Sequence, residues 1–303
     1  MIDSTLHRRI FVVGAPRSGT TLVQSLLAAN SASTSFTESH FFDAHFSRLP
    51  GTSTAILTRD PGVRVHRFLA ENGEEPVAAA QGFREGNRRV LAARLLLPFY
   101  SRTVAIRLLR ILDELALRRG AQNWIEKTPR HLRYVPFLER VCSGFGPPAH
   151  FVHVIRDGLE VVASLHEASK SWERPYDLAT CIERWNRDVA FSLSRIAAPR
   201  DHFVFYEELA SRPEPILERL VTQVGMVWEP DILERYGHTS NRLVTPEESW
   251  KAGVDRPIRQ AASSDRVLDA AQRDRIRQTL RHDLYRQLAA GVRQRTGLPG
   301  NTD

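Results

Sequence analysis

Ile10, Phe11, Val12 and Val13 form an unbroken apolar run rich in β-branched residues, the pattern of a strand buried on both faces. Gly14-Ala15-Pro16-Arg17-Ser18-Gly19 follows as a tight loop. From Thr20 the apolar positions recur at helical spacing, with Leu22, Val23, Leu26, Leu27 and Ala29. Ala149 to Ile155 is a second apolar strand, and it runs through Arg156-Asp157-Gly158 into a helix bearing Val161, Val162 and Leu165. Asn123 to Lys127 reads as a strand that stops at Thr128, because Pro129 disfavours helix for the residue before it. Shorter strands are expected at Ser35 to Thr37 and His202 to Phe205.

Helical periodicity marks Tyr134 to Val141, Tyr176 to Ile196, Pro213 to Val224, a short piece at Pro230 to Tyr236, and a polar stretch from Ala261 to Arg295. In the second of these, Ile182, Trp185, Val189 and Leu193 share one stripe, so Trp185 reads as core. Glu74 to Gly120 is mostly helical and is expected to cover the sheet edge and shape a pocket. Ser47 to Val63 and Gly237 to Pro257 read as loop and irregular chain. Strands alternating with helices predict an α/β protein with a mainly parallel central sheet flanked by helices. We expect one domain over 1–303, with a helical insert at about 64–120 and a C-terminal helical segment at about 261–303.

Composition narrows the chemistry. The 303 residues carry a net charge of +7, which suits an anionic ligand. No nucleic-acid motif or aromatic-basic platform accompanies that charge, so nucleic-acid binding is not expected. Cys142 and Cys181 lack disulfide or metal-ligand spacing and read as small apolar residues in a reducing compartment. The start, MIDSTLHRRIFVV, resembles neither a signal peptide nor a membrane span, so a soluble cytoplasmic protein without stable membrane insertion is expected.

The first loop is an anion cradle. Helix-start N–H groups and the helix dipole favour negative charge there, Arg17 adds a fixed cation, and Ser18, Thr20 and Thr21 add hydroxyls around Gly19. It is not a Walker A loop, because Gly19 is followed by Thr20 with no lysine nearby. Arg156, with Ser164 one turn into the next helix, makes a second strand-to-helix corner that aims donors at one spot. Glu38-Ser39-His40 follows a strand end, where α/β sheets place catalytic groups.

GAPRSGTT resembles the 5′-phosphosulfate loop of sulfotransferases that use 3′-phosphoadenosine 5′-phosphosulfate, and RDGLEVVAS resembles their 3′-phosphate site. The resemblance spans roughly Ile10 to Leu209, with an echo to Lys251, and implies the sulfotransferase fold and sulfuryl transfer to a hydroxyl or amine, with no metal. Cofactor contacts would come from Arg17, Ser18, Gly19, Thr20, Thr21, Arg156, Ser164, Tyr206 and Lys251. Ser240 and Arg256 are further candidates in a late loop over the nucleotide. Lys127 resembles the lysine placed against the sulfuryl group. In the small-molecule branch a catalytic histidine stands two residues after that lysine; here the position is Pro129. Glu38 is therefore the first choice of base, His40 the second and His131 a third. The acceptor is left open among small molecules, carbohydrates, lipids and peptides, as is the oligomeric state. A P-loop-like nucleotide kinase, or a binding protein of the same fold without catalysis, are the alternatives.

Overall fold

The organising strand is β1 (Arg8–Gly14), which lies at the centre of a five-stranded sheet. The computed structural model describes residues 5–83, 97–243 and 264–296. In chain order α1 (Thr20–Ala28) and β2 (Ser33–Ser35) follow, then β3 (Phe46–Arg48), β4 (Ala55–Leu57), α2 (Gly62–Glu71) and α3 (Leu97–Arg118). Next come β5 (Asn123–Lys127), a 3-10 segment (Pro129–Tyr134), α4 (Val135–Cys142), β6 (Ala149–Ile155), α5 (Gly158–Ser169), α6 (Leu178–Ser194) and β7 (Asp201–Phe205). The chain closes with α7 (Tyr206–Ser211), α8 (Pro213–Gln223), α9 (Ile232–Leu243), α10 (Ser264–Val267), α11 (Ala270–Thr279) and α12 (His282–Thr296).

The sheet order is β2-β5-β1-β6-β7, and every pairing in it is parallel. The period-2 alternation of a strand, with both faces of the sheet covered, explains why the Ile10–Val13 part of β1 is an unbroken apolar run. Phe11 and Val13 face one layer, with Trp124, Phe151 and residues of α3 and α4 such as Leu108, Leu112 and Leu138. Ile10 and Val12 face the other, with Val23, Leu26 and Leu27 of α1 and Leu217, Leu220 and Val221 of α8. A third cluster packs α5, α6, α11 and α12 around Ile155, Phe203 and Phe205. Parallel pairing brings the C-terminal ends of β1, β5 and β6 to one edge, with Val12 beside Lys127 and Gly14 beside Val154. Among the described residues no helix is long and apolar enough to cross a membrane.

Several boundaries differ from expectation. Ser47 to Val63 is not all loop: it holds the β3–β4 antiparallel hairpin and the start of α2. Both hairpin strands have three residues, too few to show a period against a Gly/Ser/Thr background. The second strand is Ser33–Ser35, two residues earlier than read, because its hydroxyl side chains carry no hydrophobic signal. Helix α9 runs on to Leu243 through Gly237, where an irregular chain was expected. Helix α3 lies on a face of the sheet rather than along its edge, since its apolar stripe joins Phe11 and Val13 in one cluster.

One buried charge pair fixes that face. Arg9 is 1% exposed, and it donates from Nε and Nη2 to the two Asp113 oxygens at 3.0 and 2.6 Å. Trp124 Nε1 donates to the same carboxylate at 2.9 Å, so α3, β1 and β5 meet at one group. Replacing Asp113 by Ala leaves the Arg9 cation buried without its counter-charge and should cost about 3–5 kcal/mol. Urea denaturation measures this; an unchanged midpoint would show the pair to be dispensable.

Candidate active site

The first corner leaves β1 through residues 15–19 and enters α1. Gly19 sits at the helix start with φ 98°, and a Cβ there would lie 2.5 Å from Tyr206 Cδ2, so only glycine lets the ring pack against the turn. No side chain among the described residues caps the start of α1, which leaves its first N–H groups to a ligand. Ser18 is wholly buried, and its Oγ lacks a hydrogen-bond partner among the described residues. A buried hydroxyl left unmatched in this way costs free energy and marks a place where a ligand oxygen would fit. Arg17 takes a left-handed backbone (φ 74°), a strain of the kind found at binding turns.

The second corner is built differently from the first. Its helix start is occupied by the protein itself: Asp157 accepts hydrogen bonds from Leu159 N at 3.0 Å and Glu160 N at 3.2 Å. An N-cap aspartate thus satisfies the first backbone donors of this corner, so its donors toward a ligand are the side chains that the sequence points to, Arg156 and Ser164. What it presents is side chains. Arg156 Nη1 donates to the Arg17 carbonyl at 3.2 Å, and Arg17 Nε donates to Ser164 Oγ at 3.1 Å. The Arg156 guanidinium also lies 4.5 Å above the Tyr206 ring. Two supports were not legible in sequence. Trp185, core as expected, also donates Nε1 to the Arg156 carbonyl at 3.1 Å. Glu207 accepts from Asp157 N at 2.9 Å, and burial pushes its carboxyl above the ordinary value.

At the end of β5, Lys127 is 2% exposed and pairs with Glu38 Oε1, so it is no surface lysine. Glu38 Oε2 lies 3.3 Å from His40 Nε2, and His40 Nδ1 lies 3.2 Å from Asp43 Oδ2. Asp43 Oδ1 is 3.5 Å from His131 Nε2, and His131 Nδ1 is 3.1 Å from Glu126 Oε2. A row of alternating acidic and basic groups thus runs from Lys127 to Glu126. Burial alone would lower the His131 pKa, but the Glu126 and Asp43 carboxylates outweigh it and raise it to about 9. Phe42 N also approaches Nε2, at 3.3 Å, a contact only a neutral ring could accept; two carboxylates on one ring outweigh a single long amide contact. Asp43 and Glu126 are held below the usual carboxylate range, burial being overcome by His131 and hydroxyl partners. His131 is wholly buried with a carboxylate at each ring nitrogen, an arrangement that favours Glu38 or His40 over it as base.

Arg64 of α2 was missed by the sequence reading. Its Nε donates to the Ser39 carbonyl at 2.7 Å, Nη2 to the Glu38 carbonyl, and both ends grip Glu71 at 3.0 and 2.8 Å. An arginine in a polar helical stretch carries no signal of such a clamp. Lys251 and Arg256 lie outside the described residues, as does the side chain of Ser240.

The chain matches known proteins over most of its length. A family model described as the sulfotransferase family matches residues 9–230. The chain is similar to the protein-tyrosine sulfotransferase of Drosophila melanogaster (23% identity, 74% of this chain, 39% of that protein). It is also similar to protein-tyrosine sulfotransferase 2 of Gallus gallus (25%, 74% and 53%). It thus spans between two fifths and just over half of those curated relatives. The fold is similar to the sulfotransferase domain of the Synechococcus PCC 7002 olefin synthase (TM-score 0.52, 19% identity, 94% of both chains). It is likewise similar to mouse sulfotransferase SULT7A1 complexed with PAP (TM-score 0.53, 11% identity, 95% and 91%).

The His131 charge gives a pH test. The unfolded chain releases this proton near 6.5, whereas the folded protein holds it to about 9. The contribution to stability is full below pH 6.5 and is lost as pH rises through about 9. Unfolding midpoints should therefore decline across that interval. His131→Gln should be less stable at its acid end and flatter across it; parallel profiles would refute the charged ring.

Proposed function

The chain belongs to the sulfotransferase family, and from that premise we propose that it moves a sulfuryl group from 3′-phosphoadenosine 5′-phosphosulfate to a hydroxyl or amine of an acceptor. The observation that carries the proposal is the interlock of the two corners, Arg17 Nε on Ser164 Oγ at 3.1 Å and Arg156 Nη1 on the Arg17 carbonyl at 3.2 Å. Two anion-binding corners at one sheet edge suit a nucleotide with two separate phosphorylated ends. The unmatched Ser18 hydroxyl and the uncapped start of α1 fit the 5′ end.

When bound, the donor supplies an electrophilic sulfur and a leaving group that departs without a proton. Arg17, Ser18, Gly19, Thr20 and Thr21 hold its 5′ end, and Arg156 and Ser164 its 3′-phosphate. Tyr206 supports both by packing on Gly19 and under Arg156. Lys127, nearly dry at the end of β5, offsets negative charge that grows in the transition state. Glu38 takes the proton of the attacking acceptor. Positive charge comes from Arg17, Lys127, Arg156 and helix amides, preorganised so that little reorganisation accompanies reaction. We assign Lys251 to nucleotide binding and residues 1–303 to one sulfotransferase domain.

The acceptor class stays broad, and a tyrosine peptide comes first because curated relatives are protein-tyrosine sulfotransferases. Cytoplasmic placement is proposed because Cys142 and Cys181 are both free thiols, as suits a reducing compartment.

A mass-spectrometric screen of tyrosine peptides, carbohydrates, lipids and phenols with the donor should show a gain of one sulfo group on a member of one class. No transfer to any class would sink the proposal. Arg156→Ala should weaken binding of 3′-phosphoadenosine 5′-phosphate about a hundredfold by calorimetry, and unchanged affinity would remove the second corner from the site. Glu38→Gln should lower turnover about a hundredfold, near 3 kcal/mol, with donor affinity kept. Near-normal turnover there, with loss in His40→Ala, would make the base a histidine.

A further inference from the structure

A carboxylate base that has taken a proton must lose it before it can act again. Glu38 is poorly placed to do so alone: its side chain is 15% exposed, and Oε1 faces the buried Lys127 ammonium, which donates and cannot accept. The other oxygen, Oε2, faces His40 Nε2 at 3.3 Å, and the His40 side chain is 42% exposed. His40 therefore stands between the base and water.

The ring's other nitrogen decides its orientation. Nδ1 lies 3.2 and 3.3 Å from the two oxygens of Asp43, which as a carboxylate can only accept. Whenever the ring is neutral, Asp43 keeps its proton on Nδ1 and the Nε2 lone pair faces Glu38 Oε2, an arrangement that suits Glu38 once it holds the acceptor proton. Asp43 is itself held from behind by buried His131 and, through it, by Glu126. The backbone enforces the same pose. His40 has φ 50°, an uncommon left-handed conformation for a side chain of this size. Arg64 pins the two preceding carbonyls, and Thr128 Oγ1 accepts from His40 N at 3.4 Å. Among the described residues, the charged or titratable groups around the ring include Glu38 and Asp43 in contact, with Lys127, His131, His45 and Arg64 behind them.

We infer that His40 is the proton exit of this site, relaying to bulk water the proton that Glu38 takes from the acceptor, with Asp43 fixing the ring for that task. The inference rests on Glu38 as the base. As the acceptor oxygen bonds to sulfur and the bond from sulfur to the phosphate oxygen breaks, the acceptor proton passes to Glu38 Oε2. It moves next to the lone pair of His40 Nε2, giving an imidazolium held by Asp43, and leaves for water. Glu38 returns to the carboxylate and the ring to its Nδ1–H form, so proton and charge balance. The hydrogen bond between Glu38 and the neutral ring forms only once Glu38 is protonated, so it favours the state after proton abstraction over the one before.

The test uses the full chain, labelled donor, and two phenols. p-Cresol, the side chain of tyrosine, must lose a proton to react; p-nitrophenol is already largely ionised in mildly alkaline buffer and needs no base. His40→Ala should lower p-cresol turnover about tenfold with the donor KM kept, lose much less on p-nitrophenol, and regain p-cresol turnover when free imidazole is added. Full p-cresol turnover in the variant, a loss that imidazole does not restore, or an equal loss on both phenols would overturn the relay. Glu38→Gln separates this from failure of the underlying reading: if that variant keeps p-cresol turnover, Glu38 is not the base, whatever His40 does. A second measurement needs no variant activity. Long-range 1H–15N spectra of the wild-type protein, with the signal assigned by its loss in His40→Asn, should show the Nδ1–H tautomer in the neutral ring. An Nε2–H tautomer would refute the inference.

Discussion

The Glu126 carboxylate, sealed at the end of β5, is the constraint on which the catalytic edge depends. It is wholly buried, and it accepts from Ser39 Oγ at 2.8 Å, Thr128 Oγ1 at 2.6 Å and His131 Nδ1 at 3.1 Å. A dry carboxylate is tolerable only when its lone pairs are met in this way. Meeting them draws three pieces of chain together: the segment after β2, the end of β5 and the 3-10 turn beyond it. Glu38 and His40 flank Ser39, so the bonds that solvate Glu126 also hold the candidate base against Lys127. Arg64 completes the hold from the opposite side by binding the carbonyls of the same segment.

The side of the edge proposed to hold the nucleotide follows another logic. There the strands deliver two loops, and the loops bind each other. Arg17 reaches into the second corner, Arg156 reaches back to the first, and Tyr206 fills the space that Gly19 leaves. Trp185 and Glu207 brace this arrangement from below. None of these bonds is strong alone, at about 1 kcal/mol for a neutral pair and somewhat more where a charge takes part. Together they leave the two arginines few other places to go.

What was legible in the sequence was what local pattern encodes. The run at Ile10–Val13 is apolar throughout, and 149–155 is broken only by His150 and His153, because both faces of those strands are covered, and they stand out for that reason. Arg17, Arg156, Lys127 and Glu38 stand out as candidates because each lies at a strand end or within three residues of one, where a parallel sheet brings its loops together. Partnerships were not legible. Asp157 looks the same whether it caps its own helix or meets a ligand, and Arg64 looks the same whether it faces water or clamps a backbone 25 residues away. Glu126 passed unnoticed beside Lys127 because its role is set by Ser39 and His131, one of them far off in the chain. The β3–β4 hairpin was too short to carry a period, and α9 runs through a glycine that a helix tolerates at modest cost.

The carbonyl of Arg17 belongs to one corner yet serves as a hydrogen-bond acceptor for the other. An insertion or deletion in residues 15–19 would shift that oxygen and displace Arg156 even with every side chain of the second corner intact. The two recognition loops are thus free to vary only in step. Grafting one of them alone onto another scaffold would transplant half of a shared hinge, and designs that borrow this architecture should carry both loops and the Tyr206 ring between them as a single cassette.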